Sequence, residues 1–151
     1  MSIPIAISGT DLIGQARTGT GKTLAFGVSA LQRIVLPGDE GWTQSGSRLP
    51  QALVMCPTRE LALQVSRDID TAARVRGARV LTVYGGVGYD SQIDALQRGV
   101  DVVVGTPGRL LDLVGRRDLN LTSCSIVVLD EADEMLDLGF LPDVEKLLGH
   151  C

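Results

Sequence analysis

The segment from Ala16 to Thr23 has the residue types and spacing of a phosphate-binding loop. It is Ala16-Arg17-Thr18-Gly19-Thr20-Gly21-Lys22-Thr23, after a short apolar stretch. Glycines permit a tight turn whose backbone N–H groups face one anion, and a following helix presents its positive end to it. We predict that all eight residues bind nucleotide, with Lys22 on the β- and γ-phosphates and Thr23 on Mg²⁺. A Gly/Thr-rich turn without ligand is the alternative.

A second chemical signal is an acidic tetrad that follows an apolar stretch. Ile126-Val127-Val128-Leu129 leads directly into Asp130-Glu131-Ala132-Asp133. A carboxylate at such a strand end can hold the Mg²⁺ of a phosphate loop, so we assign Asp130 to the metal, partly through water. Glu131 can orient and deprotonate an attacking water. The alternative is a solvated helix start, where acidic residues are favoured.

These chemical groups need a scaffold, and short apolar runs rich in β-branched residues indicate its strands. Helical patterns separate the runs. Leu24, Val28, Leu31 and Val35 lie at i, i+4, i+7 and i+11, and a second helix face follows the same spacing at Leu61, Val65, Ile69 and Ala72. The predicted strands are 11–15, 52–56, 79–84, 101–104 and 125–129.

Alternating strands and helices with near-continuous apolar strands predict an α/β fold. The sheet is expected to be parallel, covered by helices on both faces and joined by right-handed crossovers. Ligands of such folds bind at the carboxyl ends of the strands. Residues 37–50, which contain Trp42, are rich in glycine and serine and predict a surface loop.

Composition limits the remaining function classes. The formal net charge is −4, which argues against a surface that grips nucleic acid everywhere by charge. No apolar run approaches the ~20 residues of a membrane helix, and no signal peptide is evident, so we expect a soluble cytoplasmic protein with no membrane partner. Cys56, Cys124 and Cys151 fit neither a disulfide framework nor a zinc site. Cys56 and Cys124 are predicted to be buried at strand positions.

Four motifs, in this order, resemble the DEAD-box family of ATP-dependent RNA helicases. They are the phosphate loop, Pro57-Thr58-Arg59-Glu60-Leu61-Ala62, Thr106-Pro107-Gly108-Arg109 and the tetrad at 130–133. Gly85-Gly86 lies between them, and the continuation at 134–140 is also similar to the family's. The resemblance implies the RecA-like P-loop fold of the family's first lobe, a three-layer α/β/α domain. It also implies ATP and Mg²⁺ as cofactors, and hydrolysis that depends on Lys22, Asp130 and Glu131.

The resemblance further implies RNA as a partner. The family's motifs hold the RNA sugar-phosphate backbone, and strand ends that begin helices supply N–H groups suited to phosphate. Such contacts predict binding that is indifferent to base sequence and sensitive to salt. The alternative is that Thr58 and Thr106 are only helix N-caps and Arg59 a surface charge. The implied RNA-binding residues are Thr58, Arg59, Gly86, Thr106, Gly108 and Arg109.

The resemblance also implies what the 151 residues do not include. Asp133 in the family couples the ATP site to a Ser-Ala-Thr motif, which is absent from this sequence. The adenine-recognition glutamine motif and the second RecA-like lobe are also absent. We therefore expect residues 1–151 to be a partial ATP-binding domain, truncated at both ends, monomeric, and negligibly active alone in hydrolysis and unwinding.

Two further hypotheses stay open at this stage. One is a non-catalytic P-loop fragment that binds nucleotide or RNA weakly, or a gene remnant. The other is a P-loop translocase that acts on DNA, which the Pro57–Ala62 motif disfavours.

Overall fold

The computed structural model describes residues 20–42 and 48–151, as four strands and six helices. The strands are β1 (Ala52–Met55), β2 (Val80–Val83), β3 (Val102–Gly105) and β4 (Ile126–Leu129). The helices are α1 (Thr20–Arg33), α2 (Arg59–Arg76), α3 (Asp90–Arg98), α4 (Pro107–Gly115), α5 (Ala132–Asp137) and α6 (Leu141–Leu148). The predicted strand at 11–15 lies outside the described residues.

The four strands form one parallel sheet in the order β2-β3-β1-β4. Met55 of β1 pairs in register with Gly105 of β3 and with Leu129 of β4, and Val83 of β2 pairs with Gly105. All four strands therefore end at the same level. The helices that follow β1, β2 and β3 are the crossovers that a parallel sheet requires.

Alternate residues of the central strands enter two separate cores. Ala52, Val54, Val102 and Val104 pack in one core, whose other members come mainly from α1 and α2. Leu53, Met55 and Val103 pack in the second core with residues of α4 and α6. Helices thus cover both faces of the sheet, and the predicted three-layer α/β/α fold is confirmed.

The four strand predictions that fall within the described residues are correct to within one residue at each end. β3 is displaced by one residue from the predicted 101–104, because Asp101 is the last residue before the strand and Gly105 still pairs with Met55 and Val83. Cys56 and Cys124 are buried as predicted, but both lie outside the strands. Cys56 follows β1 directly, and Cys124 precedes β4 by two residues.

The predicted buried face of α2 is confirmed, and that of α1 is rotated relative to the prediction. In α2, Val65 and Ile69 are buried, and Leu61 and Ala72 pack against the core. In α1 the buried face contains Ala30, Leu31 and Ile34, so only Leu31 of the described predicted positions is fully buried. The reason is a close approach at Gly27, where an added Cβ would lie 3.2 Å from Ile69 Cγ1. This approach turns the small-residue side of α1 toward α2.

The segment predicted as a surface loop contributes a buried ion pair. Its described residues, 37–42 and 48–50, contain no helix or strand. The Arg48 guanidinium donates from Nε to Asp101 Oδ1 over 2.8 Å and from a terminal nitrogen to Oδ2 over 2.6 Å. The backbone N–H of Arg79 donates to the same carboxylate over 2.7 Å. Asp101 is completely buried. The two Arg48 bonds tie the loop to the start of β3, and the Arg79 bond ties the residue before β2 to the same carboxylate.

No helix within residues 20–42 and 48–151 is both long and apolar enough to cross a bilayer.

Candidate functional site at the carboxyl edge of the sheet

The predicted site residues follow strands that end side by side. Three backbone hydrogen bonds continue the sheet by one residue: Cys56 N donates to Gly105 O over 2.9 Å, Thr106 N to Val83 O over 3.0 Å, and Asp130 N to Met55 O over 2.9 Å. The residues that follow the four strands therefore form one row, in the order Tyr84, Thr106, Cys56, Asp130. Neighbouring strands are about 4.8 Å apart, so the row is about 14 Å long.

The first turn of α1 is directed toward this edge. Arg76, the last residue of α2, donates from its guanidinium to Leu31 O and, over 3.3 Å, to Ile34 O, near the end of α1. Gly27 lies against Ile69 in the middle of both helices. The two helices thus run in the same direction. Because α2 begins at the carboxyl edge, so does α1, and its positive end lies on that side.

The phosphate loop is only partly within the described residues. Ala16, Arg17, Thr18 and Gly19 lie outside them, as do the side chains of Thr20 and Lys22. The backbone of Thr20, Gly21, Lys22 and Thr23 forms the first turn of α1. Thr23 is buried.

The acidic tetrad begins at the end of the row. Asp130 is only 4% exposed, although it directly follows the exposed Leu129. Glu131 has φ 55° and ψ 52°, a left-handed conformation that is uncommon for any residue but glycine. Asp133 is exposed in the first turn of the short helix α5. This position is the one that the alternative interpretation, an acidic residue at a solvated helix start, describes. The described part of the chain has no group of three or more His, Cys, Asp and Glu side chains placed around a metal.

Thr58 ends the loop between β1 and α2, and Arg59 is the first residue of α2. The Thr58 hydroxyl accepts a hydrogen bond from Leu61 N over 3.2 Å and is therefore the N-cap of α2. This is the role that the alternative interpretation gave it. Arg59 is exposed, and its guanidinium lies 4.6 Å from the ring centroid of Tyr84.

Thr106 alone separates β3 from α4, and Pro107 and Gly108 are the first two residues of that helix. Thr106 is the N-cap residue of α4, but its side chain makes no capping hydrogen bond. Pro107 occupies the first turn, where a missing N–H costs nothing. Gly108 is exposed, and a Cβ added there would meet nothing within 4 Å. The helix start is thus open to a ligand.

Arg109 is held by three neighbours. Its guanidinium donates to Val87 O over 2.8 Å and to Gln92 Oε1 over 3.2 Å, and it lies 4.1 Å from the ring centroid of Tyr89. Gln92 is itself buried and donates to Tyr84 O over 3.2 Å. The side chain of Arg109 is therefore oriented by the segment that follows β2, which includes Gly86 at φ 81°.

Tyr89 is shared with a second arginine. The Arg116 guanidinium lies 4.3 Å from its ring centroid, and the Tyr89 hydroxyl hydrogen-bonds to a carboxylate oxygen of Asp112. This hydrogen bond raises the pKa of Tyr89 above its usual value, and the Asp112 charge and desolvation act in the same direction. We define Tyr89, Gln92, Asp112 and Arg116 as the Arg109 support cluster.

The sequence interpretation missed this support cluster, although one signal for part of it was present. Arg109, Asp112 and Arg116 are spaced i, i+3 and i+7, which places them on one face of a helix. Gln92 lies in α3 and Tyr89 directly precedes that helix, and no local pattern connects either residue to Arg109.

The family of the chain follows from sequence comparison. The family model for DEAD/DEAH box helicases matches residues 1–151. The chain belongs to this family. The DEAD/DEAH box chain is 44% identical over 151 residues to the ATP-dependent RNA helicase RhlB of Haemophilus influenzae, covering all of this chain and 36% of that protein. It is 48% identical over 149 residues to the DEAD-box ATP-dependent RNA helicase CshA of Streptococcus pneumoniae, covering 99% of this chain and 27% of that protein.

A solved structure agrees with this assignment. A hypothetical ATP-dependent RNA helicase from Sulfolobus tokodaii superimposes with a TM-score of 0.83 and 38% identity, covering 99% of the DEAD/DEAH box chain and 40% of the solved one. The RecA-like α/β fold expected from the motifs is therefore confirmed. The chain spans 36% and 27% of the lengths of the two curated relatives named above.

Proposed function

We propose that this chain is the ATP-binding part of an ATP-dependent RNA helicase, and that it binds Mg-ATP and RNA at opposite ends of one sheet edge. The observation that carries the proposal is the row of strand ends. Asp130 lies at one end of the row, the loop after β2 begins at the other end, and Thr106 is next to it. One rigid sheet can thus hold both ligands at a set distance.

At the nucleotide end, residues 16–23 are proposed to wrap the phosphates. Backbone N–H groups at the start of α1 favour an anion there, and Lys22 adds a positive charge. Mg²⁺ prefers oxygen ligands and keeps several waters. The Thr23 hydroxyl and the Asp130 carboxylate are oxygen donors of that kind, so they are the residues proposed to hold it. Glu131 is proposed to orient the water that attacks the γ-phosphate.

At the RNA end, the open start of α4 and the Arg109 guanidinium are proposed to bind phosphate. Thr106 has a hydroxyl that caps no helix, Gly108 leaves space, and Arg109 is already oriented. Thr58, Arg59 and Gly86 are proposed to continue the same track. None of these groups is suited to distinguish bases, so binding is expected to be independent of sequence.

Hydrolysis and duplex opening are proposed only for a protein of the relatives' full length, because this chain spans 36% and 27% of the two relatives that carry the helicase name and does not include the remainder. Asp133 is proposed to couple the ATP site to that remainder. An arginine finger contributes on the order of 10³–10⁵ in rate to phosphoryl transfer, and none is assigned within residues 1–151. We therefore expect the isolated chain to bind but to turn over negligibly.

The nucleotide half is tested by thermal unfolding with and without Mg-ATP. A ligand that binds only the native state, at ~100 times its Kd, adds about 2.7 kcal/mol, which corresponds to a rise in Tm of roughly 5–10 °C. Lys22→Ala should remove the rise without lowering the Tm of the free chain. An equal rise in that variant would contradict the phosphate-loop assignment, and no rise in either would favour a non-catalytic fragment.

The RNA half is tested by the affinity for single-stranded RNA as salt is varied. Arg109→Ala should weaken binding roughly tenfold, because a charged hydrogen bond to phosphate is lost. The slope of log K against log salt should fall by about 0.7. Arg74→Ala is the matched control: Arg74 is exposed near the end of α2, which points away from the carboxyl edge. Equal losses of RNA affinity in the two variants would mean that Arg109→Ala acts only through the change in net charge.

A further inference from the structure

Helix α3 buries one polar side chain. Of its nine residues, all described, only Gln92 is buried, and it is 4% exposed. Its Nε2 donates to Tyr84 O over 3.2 Å, and its Oε1 accepts from the Arg109 guanidinium over 3.2 Å. A carbonyl can only accept and a guanidinium can only donate, so these two partners fix the orientation of the amide. Gln92 therefore joins the residue that follows β2 to the start of α4.

The residues between Tyr84 and Tyr89 are mostly glycine. They are Gly85-Gly86-Val87-Gly88, all exposed, and we call them the glycine segment. A Cβ added at any of its glycines would meet no atom of the described residues within 4 Å, so packing offers these positions little support. Glycine also loses more conformational freedom on ordering than any other residue.

Hydrogen bonds hold this segment instead. Arg109 donates to Val87 O over 2.8 Å, in the middle of the glycine segment. The same guanidinium is bonded to Gln92, which is bonded to Tyr84 O at the segment's start. Tyr84 O, Gln92, Arg109 and Val87 O thus form one closed chain of hydrogen bonds.

We propose that Gln92 is a positioning residue for RNA binding, which acts through Arg109 and makes the glycine segment and the start of α4 one binding unit. The role rests on the proposed RNA site, where Gly86 and Arg109 both contact the backbone. An ordered site loses less entropy when it binds, so Gln92 raises the affinity for RNA from a buried position.

A role in the fold alone would have a different signature. The loss of Gln92 would then weaken RNA binding by the same factor with or without the Arg109 side chain. If Gln92 acts through Arg109, its loss matters only while Arg109 is present, because two substitutions that break one chain of interactions are not additive.

The experiment is a double-mutant cycle on the full chain, with the affinity for single-stranded RNA as the readout. Gln92→Met keeps a side chain of similar length but removes the donor and the acceptor. It should weaken binding roughly 3–5-fold, and less than about twofold when added to Arg109→Ala. Gln97→Met is the matched control, because Gln97 is exposed on the same helix, and it should leave the affinity unchanged.

Limited proteolysis of the free chain tests the ordering without RNA. Exposed segments are cleaved when they open locally. Gln92→Met and Arg109→Ala should each be cleaved within residues 84–89 several-fold faster than the unaltered chain, as peptide mapping shows. Gln92→Asn has the amide one methylene shorter and should act in the same direction. It replaces Gln92→Met if that variant does not unfold cooperatively in urea.

The outcomes separate the role of Gln92 from the RNA site itself. Unchanged RNA affinity in Arg109→Ala would overturn both. A loss in Arg109→Ala without one in the Gln92 variant, or an equal loss from the Gln92 variant in both backgrounds, would overturn the role of Gln92 and leave the site standing. Unchanged cleavage in the Gln92 variant would do the same.

Discussion

The loops after β1 and β3 have the same plan, a threonine and an arginine at the start of a helix, but they use these side chains differently. The Thr58 hydroxyl caps α2, whereas the Thr106 hydroxyl caps nothing. Arg59 is exposed and rests on one tyrosine, whereas Arg109 has two hydrogen bonds and a tyrosine ring.

This difference indicates a division of labour between the two loops. In the first loop the threonine stabilises the fold, and the arginine at the helix start is exposed and held by one ring contact. In the second loop the threonine is available to a ligand and the arginine is oriented in advance, which lowers the entropy lost on binding. We therefore expect the second loop to contribute more to RNA affinity and the first more to stability.

The largest expected effect comes from the strand end that carries the second loop. In Gly105→Ala the new Cβ would lie 2.6 Å from Val83 O and 3.0 Å from Leu110 Cγ. The backbones of β2 and β3 must move apart, so the free energy of unfolding should fall by about 1–3 kcal/mol, as for other overpacked sites. Urea denaturation measures this.

Gly115→Ala is the control for that variant, because a Cβ at Gly115 meets nothing within 4 Å. It should leave stability unchanged or slightly higher. A Gly105→Ala chain as stable as the unaltered one would show that the end of β3 is not tightly packed.

The two threonines provide the direct comparison. Thr58→Ala removes a helix cap and should lower the free energy of unfolding by about 1 kcal/mol, whereas Thr106→Ala should lower it little. RNA affinity should respond in the opposite order, with the larger loss in Thr106→Ala. If both variants lose equal stability, Thr106 is a cap like Thr58 and the division of labour is wrong.

The two tyrosines test how each arginine is supported. Tyr89→Leu removes the ring beneath Arg109 and should weaken RNA binding roughly 2–5-fold, the value of an exposed cation–π contact of about 0.5–1 kcal/mol. Tyr84→Leu, beneath the exposed Arg59, should have less effect. Tyr89→Phe keeps the ring and should retain most of the affinity. An equal loss of RNA affinity in Tyr89→Phe and Tyr89→Leu would mean that the Tyr89 hydroxyl, and not its ring, supports Arg109.

The smallest expected effect is a change in the pH at which Tyr89 titrates. The Asp112 hydrogen bond raises the pKa of Tyr89 above its usual 10.0. A group whose folded-state pKa is raised stabilises the fold fully below its unfolded pKa, and that contribution disappears as the pH rises through the folded value. Tyrosinate absorbance of the Tyr84→Phe chain isolates Tyr89, and Asp112→Asn should lower the midpoint. An unchanged midpoint would mean that Asp112 does not hold the hydroxyl in solution.

Much of the fold was predictable because its signals are local. Runs such as 102–104 and 126–129 are apolar and β-branched, so their strand character depends on few neighbours. The face of α1 was displaced because Gly27 allows a close approach to Ile69 that hydrophobic spacing cannot show. The Arg48–Asp101 pair was missed because its partners are 53 residues apart in the chain.

The sequence by itself determined the type of each described strand, the parallel α/β class, and the arrival of Thr58, Thr106 and Asp130 at one edge. The hydrophobic period and the β-propensity of the residues encode the strand type and the fold class. The shared edge follows because parallel strands end together. Only the tertiary structure decided the order β2-β3-β1-β4 and the cluster around Arg109. Four short apolar strands have similar pairing preferences, so their order and the neighbours of each side chain depend on how distant segments pack.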